Sequence, residues 1–208
     1  MNLTTTAAAT QTSLIDRVIR LRVAISLVSF VAIIVQDVIL ARPPVSGWSR
    51  APDWPGILGV LGVIVGLLVR SWAAGVLPKG IDLATQGPYS LCRHPLYFGS
   101  FLMMVGFSLL MGHLHEFAVV FGPVTAIYCL TIRAEERKMH ATYGKRWSDY
   151  SASVPAFVPW LPCTYRSKKW SSAQWRKSRE YRAVATAMLG LMAIEVWRNL
   201  HIGWCVPQ

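Results

Sequence analysis

The stretch GILGVLGVIVGLLVRSWAAGVL, residues 56–77, decides the fold, because it runs across a full membrane thickness with Arg70 as its one charge. A helix needs about 20 apolar residues to cross the hydrocarbon of a bilayer. Gly62 and Gly66 make a G-x-x-x-G face within it, whose ordinary meaning is close approach of a second helix. Arg70 either snorkels to the headgroups or faces a polar pocket. Working outward, Val23 to Ala41 is a further apolar run, broken only by Ser26, Ser29, Gln36 and Asp37, and Pro43-Pro44 ends it. Residues 42–55 form a Pro-rich loop with Trp48 and Trp54 at interfacial positions. Leu96 to Gly112 and Phe117 to Ile132 are two more apolar runs, close to the lower length limit for spanning. They read as an antiparallel hairpin across His113, Leu114 and His115, with a re-entrant hairpin as the alternative. Ala183 to Ile202 is the last run, interrupted by Glu195, Arg198 and Asn199. The expected fold is an all-α integral membrane protein with about five transmembrane helices.

Composition agrees. Charged residues make up 15% of the chain, against about 25% in soluble domains, so the surface is not built for water. The net charge of +11 suits nucleic acid or an anionic lipid surface, and the apolar runs favour lipid. Cys92, Cys129, Cys163 and Cys205 are widely spaced without a C-x-x-C pair, which argues against a disulfide framework and a zinc site. The uncharged residues 1–13 and the absence of a cleavage signal read as a tail before an uncleaved first helix, with a transit peptide as the alternative.

Charge asymmetry sets the orientation. Residues 133–182 hold twelve Lys and Arg against four Asp and Glu, so that segment is expected in the cytoplasm. Counting back through the spans brings the polar segments 78–95 and 133–160 to the same membrane face. Each carries a group of residues able to do chemistry. The first is GPYSLCRHPLYFG, residues 87–99, where Pro95 keeps His94 extended and opens a helix, and Tyr97 follows one turn on. The second is Arg133-Ala134-Glu135-Glu136, continued by Tyr143-Gly144, Trp147, Tyr150 and VPAFVP at 154–159. Two carboxylates at a membrane edge must be hydrated, paired or used. Alone, the R-H-P is a helix start and the E-E a neutralised helix end; together on one face they define a candidate site.

In these residues the chain resembles the isoprenylcysteine carboxyl methyltransferases and their bacterial relatives, within the wider group that includes the phospholipid N-methyltransferases. The pattern G-x-Y-x-x-x-R-H-P-x-Y-x-G, an apolar hairpin, E-E, an aromatic-Gly pair, W-x-x-Y and V-P-x-x-x-P occurs here in order, over about residues 56–160. The resemblance implies a single membrane domain: a tail (1–22), a first span and loop (23–55), a methyltransferase core (56–160), and a basic interfacial segment with the last span (161–208). It implies S-adenosylmethionine as the methyl donor, held at a cytoplasmic cofactor-binding segment. No Gly-rich dinucleotide fingerprint is needed. By position, Tyr89, His94, Pro95, Leu96, Tyr97 and Glu135 should bind the cofactor, with Ile81 to Ala84 nearby. Ile81 stands where the eukaryotic enzymes have His. Arg133 and Glu136 are the expected catalytic pair, Arg133 orienting an acceptor carboxylate and Glu136 serving an amine acceptor.

The implied function is carboxyl O-methylation of an isoprenylcysteine-like or other lipid-like acceptor. Phospholipid amine N-methylation, thiol S-methylation and a non-enzymatic membrane scaffold are the alternatives; a related NADPH-dependent sterol reductase is another. The expected location is a bacterial inner membrane with the site on the cytoplasmic side. Membrane lipids are expected partners and nucleic acid is not. His113 and His115 supply only two metal ligands, so no metal is expected, and His140 and His201 read as interfacial. Residues 166–182 (RSKKWSSAQWRKSREYR) read as an interfacial helix on anionic headgroups.

Overall fold

The computed structural model describes residues 28, 31–49, 52–77, 82–159 and 165–204. Helices are the regular structure of these residues, with no strand among them. Helix α1 covers 31–39, α2 Trp54–Val76, α3 Pro95–Met111, α4 Leu114–Tyr143, α5 Lys145–Ser153, α6 Ser172–Lys177 and α7 Glu180–Trp204. Three of them, α2, α4 and α7, are long and apolar enough to cross a membrane, while α3 is an apolar helix of 17 residues. Much of the predicted first span, from 23 to 27 and at 29 and 30, lies outside the described residues, as do the tail 1–22, Ile81, Cys163 and Cys205.

Local chemistry sets the helix ends. Asp53 caps α2 by accepting from the Gly56 amide at 2.7 Å. Pro95 opens α3, where its missing N–H is no loss. Gly112, at φ +77°, closes α3 in the left-handed conformation, its amide donating to Ser108 O. Helix α4 is longer than the run 117–132 suggested. It is 30 residues, or about 45 Å at 1.5 Å per residue, so roughly ten residues project beyond a 30 Å hydrocarbon layer. Glu135 and Glu136 lie within the last ten residues of that helix. Pro123 interrupts the ladder of α4 in a one-turn π-bulge, Val120–Val124, and the Thr125 hydroxyl donates to the Val120 carbonyl at 2.7 Å.

Helices α2 and α3 pack backbone to backbone. A Cβ on Gly66 would lie 2.5 Å from Gly99 O, and one on Gly106 would lie 2.5 Å from Gly59 O. Gly59 and Gly66 therefore set the contact, with Gly62 looser, where a Cβ would lie 3.3 Å from Gly106 Cα. Val63, Leu67, Phe107, Leu110, Leu191 and Ile194 fill the core between α2, α3 and α7. Leu58, Leu61, Val65 and Leu68 on α2, and Leu189, Met192 and Val196 on α7, point outward as an apolar face suited to lipid.

The predicted interfacial helix at 166–182 is mostly something else. Residues 165–171 are non-helical and α6 is only six residues long. The segment runs across the end of α2, where the Trp170 indole donates to Ser71 O at 3.0 Å and the Ser171 amide donates to Gly75 O at 3.0 Å. Gly87, at φ +62°, donates its amide to Arg166 O at 2.7 Å. Backbone pairing to α2 and to the 87–90 turn holds 165–171 out of a helix, and α6 starts only at Ser172, capped by the Ser171 side chain.

Candidate functional site

The C-terminal ends of α2 and α4 and the N-terminal ends of α3 and α7 meet around one cavity of about 690 Å³. That size suits a cofactor-sized ligand. The two polar segments, 42 residues apart at their closest ion pair, are joined here as the charge asymmetry predicted. His94 Nε2 lies 3.2 Å from Glu136 Oε1, and Arg93 Nη2 lies 3.2 Å from the same oxygen. The Arg93 and His94 amides donate to the carbonyls of Pro155 and Ala156 at 2.8 and 3.1 Å, which gives the V-P-A segment its purpose. The Tyr150 hydroxyl donates to Tyr89 O at 2.6 Å. Trp147, Tyr150 and Val154 form a small core with Leu83 and Tyr143, and all of these but Val154 line the cavity.

Tyr89, His94, Pro95, Leu96, Tyr97 and Glu135 all line this cavity, with Asp82, Leu83 and Ala84 beside them. Adjacent helical carboxylates diverge by about 100°. Glu135 accordingly faces the cavity and receives the Tyr97 hydroxyl at 2.8 Å, while Glu136 turns to His94 and Arg93 behind the wall. Tyr97 is flanked by Tyr128 and His94, with ring centroids 5.4 and 5.7 Å away. Arg133 is exposed and is not among the lining residues, because its position on α4 lies about 200° from that of Glu135.

The guanidinium groups in the wall are Arg70 and Arg93. Arg70 resolves its two sequence readings in favour of the polar pocket. Its Nε and Nη2 grip Glu180 at 2.7 and 3.1 Å, and Nη1 reaches Ser100 Oγ. Glu180 and Arg70 are 110 positions apart, so nothing local in the sequence could have paired them. Arg93 lies over the Trp147 ring at 5.7 Å. Its Nε and the Tyr89 hydroxyl are buried in the wall with no hydrogen-bond partner, and groups of that kind call for a ligand or water.

Burial shapes the titration of the site. It lowers the His94 pKa despite the opposing pull of Glu136, so the imidazole is held neutral, and the bond to Glu136 fixes Nε2 as its donor. It raises the Tyr89 and Tyr150 hydroxyls and pushes the Cys92 thiol up to about 12, so none of these serves as an anionic nucleophile near neutral pH.

An all-helical membrane protein with a polar, aromatic-walled cavity at its helix ends is the class that fold and site define. Residues 54–146 match the phospholipid methyltransferase family. The chain is similar to a cobalt-zinc-cadmium resistance protein of Cupriavidus metallidurans, 34% identical over 55% of this chain and 53% of that one. It is also similar to a methanethiol S-methyltransferase of Crocosphaera subtropica, 36% identical over 39% of this chain and 31% of that one. The protein-S-isoprenylcysteine O-methyltransferase of Schizosaccharomyces pombe is 28% identical over 38% of this chain and 34% of its own length. The chain thus spans about half, or less, of the curated relatives it matches. No solved structure matches it.

Proposed function

We propose that the protein is an S-adenosylmethionine-dependent membrane methyltransferase whose donor occupies the 690 Å³ cavity and whose acceptor is lipid-like. The observation that carries this reading is the cavity wall itself. It brings Tyr97, Tyr128, Trp147, Glu135 and Arg93 together, with two orphaned donors, Arg93 Nε and the Tyr89 hydroxyl. Aromatic faces suit an adenine ring, Glu135 suits ribose hydroxyls or an ammonium group, and Arg93 suits a carboxylate. When bound, S-adenosylmethionine supplies an activated methyl group on a positively charged sulfur.

The chain's own residues then have three tasks. The Tyr97 hydroxyl fixes the Glu135 carboxylate, and Glu136 fixes His94 and Arg93, so the binding groups are aligned beforehand. Trp147 and Tyr150 line the cavity, backed by Val154, and serve to exclude water from it. Arg70, held in two-point contact by Glu180 on the spanning side of the cavity, takes over the orienting role first expected of Arg133. A carboxylate acceptor is ionised at neutral pH and needs such a cation but no base. Carboxyl O-methylation of an isoprenylcysteine-like acceptor is therefore the first reading. Thiol S-methylation is the second, favoured by the similarity to a methanethiol S-methyltransferase. The excess of basic residues in 133–182 supports placing the site on the cytoplasmic face of a bacterial inner membrane.

The test is transfer of a labelled methyl group by purified protein in nanodiscs to a panel of prenylcysteines, aminophospholipids and thiols. Base-labile label on the prenylcysteine is expected. Label confined to amine or thiol products refutes O-methylation, and no transfer to any acceptor with no donor binding refutes the methyltransferase reading.

A further inference from the structure

A second cluster sits at the opposite end of α3 from the cavity, about 25 Å away along its 17 residues. Asp37 of α1, His115 and Glu116 of α4 each present a ligand atom, and these atoms lie within 4.8 Å of one another. Asp37 is 0% and Glu116 2% exposed. Neither oxygen of either carboxylate has a well-formed hydrogen bond, although His115 Nε2 stands 3.2 Å from Asp37 Oδ1. Two carboxylates facing each other in an apolar surround are costly without a compensating positive charge. His115 is half-buried and lines an open depression with Arg42 and His113, while Glu116 lines the inner cleft with Ile33, Met104 and Ser108. The His115 ring reaches that depression, while its Nε2 and all four carboxylate oxygens are buried.

We propose that Asp37, His115 and Glu116 form a three-donor site for a divalent transition-metal ion, separate from the methyltransferase cavity. Two carboxylates and one imidazole match the mixed oxygen and nitrogen preference of Zn²⁺ and Co²⁺, and their charge balances the cation. A tetrahedral site with bonds of about 2.1 Å has donors about 3.4 Å apart, so small side-chain rotations close the observed spacing. His113 stacks on His115 with ring planes 12° apart and centroids 5.7 Å away, and so holds the imidazole in place. Sequence spacing showed only His113 and His115; Asp37 comes from a helix 78 positions earlier in the chain than His115 and joins through the fold.

The test uses untagged, chelator-stripped protein in nanodiscs, titrated with CoCl₂ and followed by visible absorption, with metal content measured by mass spectrometry. One Co²⁺ per chain, with ligand-field bands that ZnCl₂ displaces, is expected. Asp37→Asn, Glu116→Gln and the half-buried His115→Ala should each weaken Co²⁺ binding at least tenfold, while His140→Ala leaves it unchanged. Absence of a Co²⁺ spectrum in the parent protein overturns the site, and so does equal affinity in all three variants. If Asp37→Asn and Glu116→Gln raise the melting temperature and the parent binds no metal, the carboxyls share a proton instead. Should the two carboxylate variants fail to fold, the parent spectrum and His115→Ala still decide.

Discussion

Tyr97→Phe removes a single oxygen and isolates one part of the proposed donor site. The ring stays between Tyr128 and His94, at 5.4 and 5.7 Å, so packing is preserved. What is lost is the 2.8 Å hydrogen bond to Glu135 Oε1. A hydrogen bond to a charged group contributes about 1.5–3 kcal/mol. Glu135 is 28% exposed, so water recovers part of that and the low end applies. About 1.5 kcal/mol corresponds to roughly tenfold weaker donor binding. Calorimetric titration of the variant in nanodiscs with S-adenosylhomocysteine measures it directly. Thermal melting of the ligand-free variant checks that the fold is intact. An affinity within twofold of the parent, with a normal melt, refutes the claim that Tyr97 aligns Glu135 for the donor.

Other expectations follow from the same geometry. Arg133→Ala should leave both donor binding and methyl transfer near parental values, because its side chain is exposed and outside the cavity wall; Arg70→Lys should impair acceptor turnover more than donor affinity, since the two-point grip on Glu180 is lost. Gly66→Ala would place a Cβ 2.5 Å from Gly99 O and should cost about 1–3 kcal/mol of stability, seen as a lowered melting temperature, whereas Gly62→Ala, at 3.3 Å from Gly106 Cα, should be milder. His94 gives a pH signature. Its folded pKa lies below the ordinary 6.5, so below about pH 6.5 the unfolded chain takes up a proton that the folded one does not, and stability falls as pH falls through that value. Melting curves from about pH 8 to about pH 5.5 should show this slope in the parent and a shallower one in His94→Asn; equal slopes would remove His94 as its source.

The spans and the site differ in how far the sequence disclosed them. Apolar runs such as 56–77 are self-reporting, since a bilayer imposes length and composition on each helix alone. The R-H-P-x-Y and E-E groups were also visible, because proline, histidine and paired carboxylates at a span edge are costly without a use. Direction was not. Glu135 and Glu136 differ by one position, and only the rotation of α4 decides that one faces the cavity and the other braces Arg93. The same rotation takes Arg133 out of the site. Arg70 was suspicious as a charge within a span, but Glu180 looked like one acid in a basic stretch. Their pairing depends on the 165–171 segment crossing the end of α2, which no periodicity reports.

The central claim, that one cavity at the helix ends holds the methyl donor, is tested most directly by determining the structure of the nanodisc-embedded protein with S-adenosylhomocysteine. The account predicts the ligand among Tyr89, Arg93, Tyr97, Tyr128, Glu135 and Trp147, with a carboxylate or hydroxyl on Arg93 Nε or the Tyr89 hydroxyl. Ligand density anywhere else, or an empty cavity at saturating ligand, would contradict it.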